Sequence, residues 1–302
     1  MAPLEPLPLA ALPALPPLAL AVVGHVEMVS FIGVEHLPAA GEILHAIDFF
    51  ECPAGGGAVV AVQMARLTGR RVPFFTALGQ DEAGRRAASE LEALGLELHI
   101  AWREAPTRRG ITFIDAGGER TITVIGERLM PMGVDGLPWD RLGRADGVFV
   151  TATDACGLRL ARRARVLAAT PRLRLPVLNA AGVTLDALIG SATDPGEAYR
   201  TGDLDPAPRL WIGTEAEKGG VLTPGGRYAA VRRQAPVLDA YGAGDSFAAG
   251  VTTALAAGWS LREAISLGAH CGAACLDGRG PYAAQLQRKG MEGHTDGGDP
   301  SA

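Results

Sequence analysis

Residues 237–250 read Val-Leu-Asp-Ala-Tyr-Gly-Ala-Gly-Asp-Ser-Phe-Ala-Ala-Gly. An apolar segment passes through a glycine-rich turn into small and apolar residues at helical spacing. The stretch therefore predicts a strand, a turn and a helix that opens at Gly242-Ala243-Gly244. The first turn of a helix leaves backbone N–H groups without partners beside the positive end of the helix dipole, so this turn is an anion site. Asp245 has two readings there. Aspartate is among the commonest N-cap residues; alternatively, it takes the proton of a hydroxyl held beside a phosphate. The turn by itself leaves both open.

Outward from this stretch the pattern alternates. LALAVV at 18–23 reads as a buried parallel strand ended by Gly24. Gly55-Gly56-Gly57 opens a helix that Gly69 stops. VPFFTALG follows as a core strand, and DEAGRRAASELEALG as a helix capped by Asp81 and closed by Gly95. Beyond them GVFVTA is predicted as a strand, 158–169 as an arginine-rich helix, LPVLNAA at 175–181 as a strand, and RLWIGTE and the run before Asp239 as strands. Such repeated units imply a parallel sheet with helices on both faces. Two stretches break the pattern. Residues 25–51 alternate weakly, and 107–124 form a hairpin joined at Ala116-Gly117-Gly118; together they predict a small separate sheet.

The 302 residues are 48% hydrophobic and 20% charged, with a formal net charge of -5, which fits an enzyme-sized globular chain and no nucleic-acid-binding surface. Of 28 basic residues only Lys218 and Lys289 are lysines, and neither lies in a GxxxxGK[ST] phosphate loop. The four cysteines include no CxxC pair, so reduced thiols and a cytoplasmic setting are expected, with Cys271 and Cys275 packed in the core. Residues 1–17 carry six prolines and lack a basic start, which reads as a disordered leader and not a signal peptide. No apolar run is long enough for a membrane span, and 291–302 read as a disordered tail.

Further candidates have competing readings. Gly55-Gly56-Gly57 fails as a dinucleotide fingerprint, because Val60 stands where glycine or alanine belongs, which argues against a nicotinamide enzyme. The run marks either close packing or contact with a small polar ligand. His25 and Glu27 follow the first strand at its carboxyl end, where α/β sheets place ligands. Asp194 and Glu197 are spaced to hold a hydrated Mg2+ or to cap a turn. Thr214, with the loop to Gly219 and Gly220, suits phosphate contacts or a plain turn.

Taken together these pieces resemble the PfkB (ribokinase-like) family of ATP-dependent carbohydrate and nucleoside kinases. The resemblance rests on DAYGAGDSFAAG at 239–250 and PAGGGAVVAVQMARLTG at 53–69, with support from PAAGEI, GERTITVIG and GRGPYAA. It implies a three-layer α/β/α ribokinase-like fold over 18–290, with a mainly parallel central sheet and a small β-sheet lid from 25–51 and 107–124. Asp245 would be the general base, and Gly242, Ala243 and Gly244 the anion hole for the γ-phosphoryl group. Glu197 would bind Mg2+ through water, with Asp194 where the family has asparagine. Thr214, Gly219, Gly220, Gly268 and Cys271 would contact ATP, and Asp239 would lie near a monovalent-cation (K+) site. A sugar or nucleoside acceptor would meet His25, Glu27 and Gly55 to Gly57, with lids pairing in a homodimer. Two departures stand out. Val29 and Val60 replace the sugar-binding aspartate and asparagine, so the acceptor differs from ribose, or the chain is a degraded relative that only senses a metabolite.

Overall fold

The computed structural model describes residues 3–288. Its strands are β1 (Leu20–Val23), β2 (Glu27–Gly33), β3 (Asp48–Ala54), β4 (Val72–Gly79), β5 (Leu96–Arg103), β6 (Arg109–Ile114), β7 (Arg120–Ile125), β8 (Gly147–Val150), β9 (Val166–Ala169), β10 (Ala187–Ser191), β11 (Trp211–Thr214), β12 (Gly220–Thr223) and β13 (Gly226–Tyr228). The helices are α1 (Gly56–Thr68), α2 (Glu82–Ala93), α3 (Ala155–Ala161), α4 (Leu175–Ala181), α5 (Ala243–Ala256) and α6 (Leu261–Cys275). A nine-stranded sheet runs β13-β12-β11-β10-β9-β8-β1-β4-β5, parallel except at the β11-β12-β13 end. A four-stranded sheet, β3-β2-β6-β7, forms the lid.

Alternation along β1 sorts the large sheet into two cores. Val22 packs with Val59 and Val62 of α1, Val251 of α5 and Leu267 of α6. Its neighbours Ala21 and Val23 point the other way, to Trp139, Leu158 of α3 and Leu178 of α4. The result is the expected three layers. In the lid, β2–β3 and β6–β7 pair antiparallel as expected, and β2 and β6 join them in parallel.

Glycines bring backbones together where the site forms. A Cβ on Gly57 would lie 2.7 Å from the carbonyl oxygen of His25, so α1 rests directly on the end of β1. A Cβ on Gly250 would lie 2.9 Å from Cα of Gly268, which seats α5 against α6.

Several expectations are corrected. VLAA at 166–169 is strand β9, paired with β8 and β10, and LPVLNAA is helix α4, with a proline in its first turn and Gly182 in the left-handed conformation at its end. No strand precedes Asp239: residues 229–242 are irregular, and Val237 and Leu238 are exposed against the lid hairpin turn. Residues 3–17, expected as a disordered leader, lie on the fold. The Leu4 N–H donates to the Arg227 carbonyl at 2.8 Å, the Ala229 N–H to the Leu4 carbonyl at 3.0 Å, and the Leu7 N–H to Ser266 Oγ at 2.8 Å. Leu4, Leu12 and Leu15 pack on the core, so leucines spaced between the prolines supply the burial that ordering needs. The expected disordered tail at 291–302 lies outside the described residues. Among those described, no helix is long and apolar enough to cross a membrane.

Candidate active site

One edge of the large sheet, the carboxyl ends of its parallel strands, collects the chemistry. His25 follows β1, Thr151 follows β8, Arg172 follows β9, and Asp194 and Glu197 follow β10. The amino ends of α1 and α5 meet there. Asp245 is not the N-cap of α5. Gly242 holds that place, with φ +81° and no side-chain cap, and Asp245 is the third residue of the helix. Among the described residues its carboxylate accepts no hydrogen bond; Oδ1 lies over Gly56, where a Cβ would approach it to 2.8 Å. Desolvation, then the negative charge of Glu197, pushes the Asp245 carboxyl up to about 7, while Arg120 and Arg172 pull the other way.

The turn before Asp245 keeps its donors. The N–H groups of Gly242, Gly244 and Asp245 have no backbone acceptor among the described residues, and that of Ala243 reaches Ala240 only at 3.5 Å. Nothing lies within 4 Å of a Cβ placed on Gly244, so open space faces that helix end. Arg120, at the start of lid strand β7, donates to the Ala240 carbonyl at 2.5 Å and so ties the lid to this turn.

Beside Asp245 lies a charged floor. Burial, then the charges of Arg128, Arg108 and Arg172, holds the His25 imidazole well below its ordinary value, which keeps it neutral. Burial raises the Glu27 carboxyl against the opposing pull of Arg108 and Arg128. Glu27 Oε1 is 3.6 Å from His25 Nε2 and 3.3 Å from Arg108 Nε. Gly55 to Gly57 lie beside this group: a Cβ on Gly55 would stand 3.2 Å from the His25 ring. Val29 and Val60 are both buried and belong to the hydrophobic core, so apolar packing occupies both positions.

The chain's segments 18–181 and 209–288 match the model of the pfkB family of carbohydrate kinases. The chain belongs to that family. It is 26% identical over 255 residues to acarbose 7(IV)-phosphotransferase of an Actinoplanes species, covering 82% of this chain and 72% of that protein. It is 23% identical over 306 residues to ribokinase of Arabidopsis thaliana, covering 91% and 80%. The structure of the Arabidopsis thaliana ribokinase complexed with ribose and ATP superposes with a TM-score of 0.72 at 18% identity, covering 91% of this chain and 97% of that one. The fold is thus ribokinase-like.

In this PfkB chain the remaining candidates fall into two groups. Asp194 and Glu197 stand with the site, clamped by the Arg172 guanidinium: its Nε donates to Glu197 Oε1 at 2.5 Å and its Nη2 to Asp194 Oδ2. The Ser191 N–H donates to the other Glu197 oxygen at 2.6 Å, and the Gly196 N–H to the other Asp194 oxygen at 2.7 Å. These are the hard oxygen donors Mg2+ takes. Each already accepts one N–H, which suits water-mediated contact with a cation carried by a triphosphate. Thr214 ends β11 at the same sheet edge.

Other candidates stand apart. Gly219 and Gly220 are required by the close β11–β12 turn, where added Cβ atoms would come within 2.0 Å of the Tyr228 and Gly213 carbonyl oxygens. Gly268 and Cys271 are buried in the α5–α6 contact. Asp239 is fully buried, and its two oxygens accept the N–H groups of Tyr241 and Gly280, both at 2.8 Å, so it does not fit a direct ligand for a monovalent cation. Arg108, Arg120, Arg128 and Arg172 were not singled out in the sequence. Arg120 lies within GERTITVIG, the one signal available; the other three meet only through folding.

Proposed function

We propose that this protein transfers the γ-phosphoryl group of ATP to a hydroxyl of a sugar or sugar-like acceptor, with Asp245 as the general base. One observation carries the reading: a single helix start offers free N–H donors and an unpaired carboxylate side by side. The acceptor O–H bond breaks and its proton passes to Asp245. The freed oxygen pair forms the new bond to the γ-phosphorus, and the bond to the β–γ bridging oxygen breaks, leaving ADP. The turn at Gly242 to Gly244 receives the charge that develops on the γ-phosphoryl oxygens, and Arg120 brings a further positive charge from the lid. Glu197 and Asp194 would hold Mg2+ through water, and the ion would supply neutralisation of the triphosphate charge. Lid closure excludes water as a competing acceptor. Ile122, Val124 and Ile125 lie exposed on β7, the edge strand of the lid, which supports pairing of lids in a homodimer.

The test is ADP release across a panel of sugars, nucleosides and polyols. Wild type is expected to turn over at least one acceptor, and Asp245→Asn to lose about 100- to 10,000-fold in kcat with ATP affinity retained. ATP binding without acceptor-dependent turnover anywhere in the panel would favour a metabolite sensor instead.

A further inference from the structure

We infer that the acceptor carries an anionic group, a phosphate ester or a carboxylate, received by Arg108 and Arg128. The inference rests on the kinase reading for what happens to that acceptor, and on charge and geometry for what binds. Arg108 immediately precedes β6 and Arg128 follows β7 by three residues, so the two mark the roots of the lid hairpin. Both carry their charge to the floor formed by His25 and Glu27.

This floor holds more positive charge than it can pair. The Arg108 side chain is 12% exposed, its nearest carboxylate is that of Glu27, and its Nε is buried without a hydrogen-bond partner among the described residues. Arg128 donates to the Arg172 carbonyl at 3.1 Å and has no carboxylate within ion-pair distance among the described residues. Arg172, the third guanidinium, is already committed to Asp194 and Glu197. His25 is neutral, and burial disfavours the charge on Glu27, so one weakened carboxylate faces two guanidinium groups. Burial and repulsion from Arg108 accordingly lower the Arg128 guanidinium. A neutral polyol would leave this repulsion in place. An oxyanion would relieve it and match the planar two-donor face of arginine.

The experiment is calorimetric titration of the full chain saturated with Mg2+ and a non-hydrolysable ATP analogue, so that the triphosphate subsite is filled. The probes are D-fructose and D-ribose, their phosphate monoesters, D-glucose, and the acids D-gluconate and D-glucuronate; the two kinds of anion separate phosphate from carboxylate recognition. An anionic member is expected to bind about 10- to 100-fold tighter than its neutral parent. Arg128→Gln and Arg108→Gln should each erase about tenfold of that advantage, and Arg128→Lys, a milder change should glutamine perturb folding, should keep part of it.

The inference is overturned if no anion outbinds its neutral parent, if the advantage survives these substitutions, or if they weaken the ATP analogue instead. ADP release with the same probes separates the two proposals. Anion preference without turnover removes the kinase reading and keeps the anion site, whereas turnover of neutral sugars at equal affinities does the reverse.

Discussion

In the proposed transfer, Asp245 is suited to act as the base because it is poorly solvated and unpaired. A carboxyl raised to about 7 is well matched to proton transfer near neutrality, whereas one at the ordinary value would be a weaker base. The pH dependence follows. Log kcat/KM should rise with unit slope and level off above about 7, where an unshifted carboxylate would give a flat profile from about pH 5. Stability has the opposite sign. With its folded value above its unfolded one, Asp245 favours the folded state only while protonated, so stability falls as pH climbs from about 4 to about 7. Asp245→Asn, which imitates the protonated form, should therefore raise Tm in calorimetric scans from about neutral pH upward. The gain should shrink as the pH is lowered toward about 4. A variant equally stable at all pH values would place the carboxylate in ordinary solvation.

At the scale of elements, glycine does two separable jobs at the two helix starts. Gly57 has no room, because a Cβ would meet the backbone of His25 at 2.7 and 2.9 Å, so Gly57→Ala must lift α1 from β1. It should cost about 1–3 kcal/mol in denaturant unfolding and lower kcat as well, since Gly56 moves with it beneath Asp245. Gly244 has open space, and alanine there improves helix propensity, so Gly244→Ala should leave stability unchanged or raise it by about 0.5–1 kcal/mol. Its methyl nevertheless enters the space before the anion turn, so kcat should fall without loss of fold. Such local features were legible in the sequence. The αL glycine ending α1, the Asp81 cap of α2, the lid hairpin and the turn at 242–244 each announce themselves within a few residues. VLAA and LPVLNAA did not, because a short apolar run takes its state from its neighbours: β9 is a strand because β8 and β10 flank it. The arginines of the floor were likewise hidden, since 108, 128 and 172 become one site only when the lid roots and the end of β9 converge.

For the whole molecule, the amino-terminal segment changes what counts as the fold. Its bonds to β13 and α6, including the His270 ring nitrogen within 2.8 Å of the Leu7 carbonyl, tie the start of the described chain to two late elements. Removing residues 1–17 should lower Tm, by about 2–4 °C for each kcal/mol lost, while kcat changes little because the site lies on other elements. An unaltered melting temperature would show that the segment contributes no stability. The pairing also has a meaning for life among other molecules. β13 ends the nine-stranded sheet, and a bare edge of this kind is a template on which another chain can add a strand. Here the template is covered at Tyr228 by Leu4, flanked by Pro3 and the nearby Pro6, residues that have no N–H to offer a newcomer. The segment thus caps this edge with a single β-bridge, and the prolines beside it have no N–H with which to continue a ladder there.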